Sequence, residues 1–303
     1  MKITRRHVTL GIVSAAIVLA GTVAWLRWRD ARQFGDTRAI LSRFPAEDAI
    51  VLNIDFSTIR AAGFLSDSRI PLEPEYKQFL DGTNFNYRSD LDSVVASFSK
   101  SGNFFIARGR FDWKKLRDYA EHQGGSCYQD VCRMVGSTPQ RHISFLPLRD
   151  DVMALAVSTD DMAATRLTQA GNPITAQLPS APVWVSVPGA ALHESAAFPP
   201  GLGLMLSALG SADRLVITVN QSGTGLAAKL EANCRSQDDA RVLASQLRTV
   251  TAKLKEASLS SKEAQSDELV QVLAGGTFDD SGTHVNGQWP FSRALLASLT
   301  SGI

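Results

Sequence analysis

The hydrophobic pattern of this chain falls into two regimes. From Val8 to Leu26, 19 consecutive residues carry no charge; Lys2, Arg5 and Arg6 precede them, and Arg27 and Arg29 follow. That length is close to the roughly 20 residues a helix needs to cross a bilayer. Beyond Leu26 the apolar stretches are short and are punctuated by Gly, Pro, Asp and Ser. This is the texture of a folded body of strands and helices rather than of further spans.

Within the body, Gln33 to Ser42 reads as a short connecting helix that stops before Pro45. Ala49–Phe56 is rich in β-branched residues and predicts a first strand, followed by a short helix from Ser57 to Phe64. A helix over Glu73–Leu80 comes next. Strands Asp92–Ser99 and Phe104–Phe111 are joined by a turn at Ser101-Gly102. Asp112 is placed to cap a helix Trp113–Gln123, with Leu116, Tyr119 and Ala120 on one side and Gly124-Gly125 at its end. Strands His142–Leu148 and Val152–Ser158 turn at Arg149-Asp150-Asp151, and Thr159 heads an expected helix Asp160–Gln169.

Gly171 to Pro182 is loop-like and divides the body. After it, Val183–Val187 predicts a strand, and Leu215–Asn220 with Leu226–Ala232 a hairpin. Ser236 and Asp239 resemble a capping box at the head of a helix with Ala240, Leu243, Leu247, Val250 and Leu254 on one face. A helix over Glu263–Leu273, a hairpin over Thr277–Trp289 and a helix from Pro290 complete the reading.

The two parts echo each other. Asp92-Ser-Val-Val-Ala-Ser-Phe-Ser-Lys-Ser-Gly102 and Asp213-Arg-Leu-Val-Ile-Thr-Val-Asn-Gln-Ser-Gly223 share an opening Asp, aliphatics at matching offsets and a closing Ser-Gly. The order of elements also agrees. The expectation is an α+β chain of two tandem ferredoxin-like units, each an antiparallel sheet with helices, behind an N-terminal transmembrane helix. Its divisions are an anchor or signal segment at 1–30, a connector at 31–44, a first unit at 45–172, a linker at 173–182 and a second unit at 183–303.

Composition narrows the function classes. Hydrophobic residues make up 44% and charged residues 20%, which excludes a disordered chain. Without residues 1–30 the body holds 26 basic against 29 acidic residues. A slightly acidic body lacks the basic surface that nucleic-acid binding needs. The apolar run is an uncleaved anchor or a cleaved signal peptide; Trp25 and the flanking arginines fit the anchor, and Thr22-Val-Ala24 fits cleavage. The short N-terminal tail favours a body outside the cytoplasm.

Candidate chemistry is sparse. Cys127 and Cys132 fit a small hairpin turning at Gln129-Asp130, where they would face each other and form a disulfide in an oxidising compartment. His122, Cys127, Cys132 and His142 are zinc-ligand types, but their spacing departs from that of zinc sites, so no metal is expected. Cys234 reads as a buried small hydrophobe. The pairs Asp90/Asp92, Asp150/Asp151, Asp160/Asp161 and Asp279/Asp280 sit at turns and helix starts, where backbone reasons account for Asp. There is no G-x-S-x-G, H-E-x-x-H or Walker loop, hence no catalytic residue or cofactor to name. Phe198, Leu202, Leu204, Met205 and Leu206 form an apolar run that is either core or an interaction patch.

Asp90-Leu-Asp-Ser-Val-Val95, Gly109-Arg-Phe-Asp-Trp-Lys-Lys-Leu116 and Met153-Ala-Leu-Ala-Val157 resemble segments of uncharacterised bacterial envelope proteins with one N-terminal membrane segment. The resemblance covers mainly the first unit and implies no activity. It implies a single-pass bacterial inner-membrane protein with its body on the periplasmic side. The functional expectation is a binding or scaffolding role, its partners the membrane and another envelope protein. The alternative is an envelope hydrolase with a site between the two units.

Overall fold

Among the described residues twelve strands form one sheet in which every neighbouring pair runs antiparallel. The structure is a computed structural model that describes residues 34–45, 48–65, 74–136, 138, 140–171, 177–192, 209–222, 225–260 and 268–291. The first half holds α1 (Thr37–Leu41), β1 (Ile50–Asp55), α2 (Phe56–Ala61), α3 (Pro74–Thr83), α4 (Tyr87–Asp90), β2 (Leu91–Ser99), β3 (Gly102–Gly109) and α5 (Trp113–His122). It continues with β4 (Ser126–Tyr128), β5 (Val131–Val135), β6 (His142–Arg149), β7 (Val152–Ser158) and a 3-10 helix, Ala163–Thr168. The second half holds β8 (Val183–Pro188), α6 (Gly189–Leu192), β9 (Arg214–Ser222), β10 (Gly225–Asn233), α7 (Gln237–Ser260), α8 (Glu268–Ala274), β11 (Thr277–Ser281) and β12 (His284–Phe291).

The halves meet where β1 pairs with β8. Outward from that seam the order is β1-β2-β3-β7-β6-β5-β4 on one side and β8-β9-β10-β12-β11 on the other. The same scheme thus runs in both directions, with β4 and β5 as an addition in the first half. This order is not the ferredoxin-like one. A split β-α-β sets two helix-connected strands parallel around a third. Here β2 lies antiparallel directly beside β1, and β9 beside β8. The second hairpin of each half is the cause: β7 pairs with β3 and β12 with β10, which leaves β2 and β9 free to take the places next to the seam. The two β2–β3 and β9–β10 hairpins are equivalent in position, but not in the register that the Ser-Gly match suggests. Their closing pairs are Ser99 with Gly102 and Ser222 with Gly225, so the second copy is displaced by two residues. Gly102 takes φ +143°, a value that L side chains rarely adopt.

Cross-strand rows define the faces. On the back face one row runs Cys132, Phe145, Leu155, Phe105, Ala96, Leu52, Val185, Ile217, Leu230, Gly287 and Phe278, apolar from end to end. Two helices cover its ends. α5 buries Leu116 and Ala120 against Phe145 and Met153, and α7 buries Ala240, Leu243, Ala244 and Leu247 against Leu215, Leu230 and Val285. Both start as the sequence predicts: the Asp112 carboxylate accepts from Lys115 N at 3.1 Å, and Ser236 Oγ accepts from Asp239 N at 3.1 Å.

On the front face the corresponding row runs Leu146, Ala154, Ile106, Val95, Asn53, Trp184, Thr218, Lys229, Gln288 and Thr277. Apart from Asn53 it is apolar as far as Trp184 and polar beyond it. α1 and the 3-10 helix cover the apolar part, with Phe34, Ile40, Ala163, Ala164 and Leu167 buried against Val95, Ile106 and Ala154. The residues expected to be a connector are therefore part of this core.

Two expected helices differ. Asp160–Gln169 is a 3-10 helix over Ala163–Thr168, because Ala164 N donates to Ser144 Oγ (3.0 Å) and Met162 N to Asp160 Oδ1 (3.0 Å) instead of continuing an α-helical ladder. Pro290 continues β12 rather than starting a helix, and pairs with Ala227. β11 pairs no further than Gln288, so on that side Pro290 lies on a sheet edge, where its missing N–H is tolerated. The expected anchor Val8–Leu26 lies outside the described residues, as does the apolar run Phe198 to Leu206. No helix among the described residues is long and apolar enough to cross a membrane.

Candidate functional site

The front face holds a cavity of about 330 Å³ where its covered part ends. The floor is three adjacent strands. β1 contributes Asn53 and Asp55, β2 Ser93 and Val95, and β3 Arg108; Asp55, Ser93 and Arg108 are successive partners in one cross-strand row. Phe34, Thr37 and Ile40 form one wall, and Pro179 to Pro182 with the buried Trp184 the other. The cavity therefore lies at the seam, with Trp184 as the second half's contribution.

Each wall is pinned. Arg43 lies 4.5 Å from the Phe34 ring centroid and Arg149 5.8 Å from it. Arg43 Nη1 also donates to Thr168 O at 2.8 Å, which ties α1 to the 3-10 helix. On the other side Asp55 N donates to Pro182 O at 2.7 Å, while Asn53 Nδ2 reaches the same oxygen only at 3.5 Å.

The two charged floor residues differ in how well they are satisfied. Asp55 caps α2: it accepts from Ser57 Oγ (2.5 Å), Thr58 N (2.9 Å) and Thr58 Oγ1 (2.8 Å). Burial pushes its carboxyl up, but these three bonds and the charge of Arg108 outweigh burial and hold it below the usual carboxylate range. Arg108 is half-buried, and its guanidinium makes no hydrogen bond or ion pair among the described residues. It acts only through space, on Asp55 and Asp151. Asp151 is itself paired with Arg149, whose Nη2 donates to it at 2.7 Å. A guanidinium has five N–H donors, so Arg108 brings an unspent set of donors to the cavity.

A larger cleft of about 680 Å³ lies beside the β3–α5 connection. Phe85 stacks on Phe111 there with centroids 5.4 Å apart, and Phe111 contacts Trp113. Its main polar groups are already engaged: Arg110 with Asp90 at 2.9 Å, and Trp113 Nε1 with Asp150 O at 2.8 Å. Burial pushes the Asp90 carboxyl up, but hydrogen bonds from Asn86 N, Arg110 and Ser89 hold it lower. These features brace the structure and leave little for a ligand.

The residues singled out from sequence are elsewhere. Cys127 and Cys132 are directly paired across β4 and β5 and form a disulfide, with Cα atoms 4.0 Å apart. Gln129 supplies the positive φ that the two-residue turn between them requires. As a disulfide they offer no thiolates beside His122 or His142. Cys234 is free and buried, and burial followed by the charges of Asp239 and Asp213 pushes its thiol up. The carboxylate pairs are tied to arginines: Asp92 to Arg60, Asp160 to Arg166, Asp161 to Arg133 and Asp280 to Arg248. Phe198, Leu202, Leu204, Met205 and Leu206 lie outside the described residues.

Asn53, Asp55, Ser93 and Arg108 were not singled out from the sequence, although a signal for Arg108 is present. In Phe104-Phe-Ile-Ala-Arg108 the residues Phe104, Ile106 and Arg108 share one face by alternation, and the first two are core. An arginine at the next inward position is the kind of exception that marks a site.

No family model matches the chain, and no curated protein matches it. Solved structures do. Crystal form III of TP0453 is similar over 87% of this chain and 98% of that one, with a TM-score of 0.50 and 10% identity. Crystal forms I and IV give TM-scores of 0.47 and 0.45, each over 86% of this chain and 96% of that chain. At this identity the likeness concerns the fold alone: a mixed α+β chain dominated by an antiparallel sheet with helices.

Proposed function

We propose that this protein is a membrane-anchored bacterial envelope protein that binds a small ligand in the front-face cavity. The run Val8–Leu26 anchors it in the inner membrane, and the body stands on the periplasmic side. The observation that carries the binding reading is Arg108: a half-buried cation without a hydrogen-bond or ion-pair partner among the described residues, on the floor of a walled cavity. A half-buried guanidinium with its donors unspent gains by pairing with an incoming group that enters the cavity. The equivalent strand order on the two sides of the seam supports a duplicated origin of the body, with the cavity formed where one copy is covered and the other bare.

The hydrolase reading has less support. The cavity does lie between the halves, but its lining includes no His or Cys among the described residues. Asp55, held ionised by its cap bonds, is a weak base for activating Ser93.

Reporter fusions at the C-terminus test the orientation; a cytoplasmic body overturns it. For the cavity, the full chain is purified in detergent as wild type and as Ser180→Trp, which places an indole at the exposed cavity rim. Native mass spectrometry is expected to find a bound small molecule, or a ligand-dependent Tm rise in a metabolite panel, in the wild type only. Equal retention by a folded Ser180→Trp refutes the cavity as the site.

A further inference from the structure

We propose that the ligand is a small organic monocarboxylate with an apolar body, and that Arg108 is the residue that selects it. The inference rests on the binding reading above and names its chemistry. Three features of the cavity converge on this class.

The first is the donor set. The planar guanidinium fork matches a carboxylate in a two-bond geometry, and Arg108 has its side-chain donors unspent among the described residues. Asn53, whose Nδ2 makes only a long 3.5 Å bond to Pro182 O, offers a second, weakly engaged donor on the same floor. The second is charge balance. Arg149 is paired with Asp151, and Arg43 donates to the carbonyls of Leu167 and Thr168; neither lines the cavity, so among the described lining residues Arg108 is the cation. Asp55 lies two strands away, at a Cα separation of roughly 10 Å from strand spacing. A single negative charge is offset by Arg108; a phosphate dianion brings a surplus charge towards Asp55. The third is the wall. Phe34, Ile40, Val95 and Trp184 present apolar surface around one charged corner. The volume of about 330 Å³ is at the small end for ligand pockets, which suits a compact aliphatic or aromatic acid.

The test is isothermal titration calorimetry on the detergent-solubilised full chain with 3-phenylpropionate, isovalerate, 3-phenylpropanamide and inorganic phosphate. At least one acid is expected to bind, with 3-phenylpropionate roughly ten- to hundredfold tighter than its amide, the range of a charge-assisted hydrogen bond. Phosphate is expected not to compete. Arg108→Gln is expected to abolish the acid–amide difference, and Arg108→Lys to keep acid binding with a several-fold loss, because charge remains without the fork. Equal binding of acid and amide overturns the role of Arg108 while leaving the cavity as a binding site. Competition by phosphate at similar affinity overturns the monocarboxylate. If no acid binds, the carboxylate class is wrong, and the Ser180→Trp comparison decides separately whether the cavity binds anything.

Discussion

β7 and β12 hold the same place in the two halves, fourth from the seam, yet they bury themselves differently. In β7, Val152, Met153, Ala154, Ala156 and Ser158 are buried, with Leu155 and Val157 half-buried between them. In β12 exposure alternates strictly: His284, Asn286, Gln288 and Pro290 are exposed, and Val285, Gly287 and Trp289 are buried. The sequences already differ in this way, Val-Met-Ala-Leu-Ala-Val against His-Val-Asn-Gly-Gln-Trp-Pro. A strand covered on both faces reads as an apolar run, and one covered on a single face alternates. One strand order thus supports two degrees of covering. The site forms where the two meet, since a fully covered face has no room and a bare face has no walls.

The largest expected effect breaks that difference directly. Ala154→Lys puts a charge under α1 and the 3-10 helix, at a position with no exposure. It should destabilise by at least about 3 kcal/mol or prevent folding. Gln288→Lys, in the same cross-strand row but on the bare side, should change stability by less than about 0.5 kcal/mol. Urea unfolding followed by circular dichroism measures both, and a similar loss at the two positions would mean that the second half's front face is covered after all.

The back face offers the control, because both halves bury it. Leu243 of α7 is fully buried and Leu116 of α5 nearly so. Truncation of either to Ala should cost about 2–5 kcal/mol. If Leu116→Ala were near neutral, α5 would be a loose cover and the symmetry of the back face would fail.

Among the described residues the β4–β5 hairpin has no counterpart in the second half, and its disulfide closes a loop with a sequence separation of 5. The chain-entropy relation assigns such a loop about 2 kcal/mol. The paired substitution Cys127→Ser with Cys132→Ser should lower stability by that amount or less and leave the second half's unfolding unchanged. Mass analysis after alkylation without reductant should find both residues unmodified. Free alkylation of both would remove the bond from the comparison.

What was legible in the sequence follows the same division. Strand existence, the Asp112 and Ser236 caps and the facing cysteines rest on local signals, and the local structure matches them. Pro290 and the 160–169 helix misread because their conformations are set by distant partners: the short reach of β11 in one case, the Ser144 hydroxyl in the other. The ferredoxin-like order misread because strand neighbours depend on which hairpin reaches the seam, which spacing does not encode. The cavity residues were the hardest. Asn53, Asp55 and Ser93 are ordinary polar residues in ordinary strands. They become a site only because α1 and the 179–182 segment stop short of covering them.

The smallest effect expected concerns acid. Asp55, Asp90 and Asp151, the carboxylates held below their ordinary values among the described residues, all belong to the first half. For Asp151 the bond from Arg149 is the leading cause and outweighs burial. A carboxyl whose pKa is lower folded than unfolded contributes stability that is complete above the unfolded value of about 3.8 and is lost as pH falls through the folded one. Each group is only partly buried, so solvent screening keeps each contribution small. Acid should therefore loosen the first half before the second, beginning below about pH 4. Hydrogen exchange at pH 3 compared with pH 6 should show β1, β2 and β7 losing protection ahead of β10 and β12. Asp55→Asn keeps an oxygen to cap α2 but cannot titrate, so it should flatten the acid limb near β1 and slightly lower stability at neutral pH. An acid response that starts in the second half, or one unchanged by Asp55→Asn together with Asp151→Asn, would show that these carboxylates are not what distinguishes the two halves in acid.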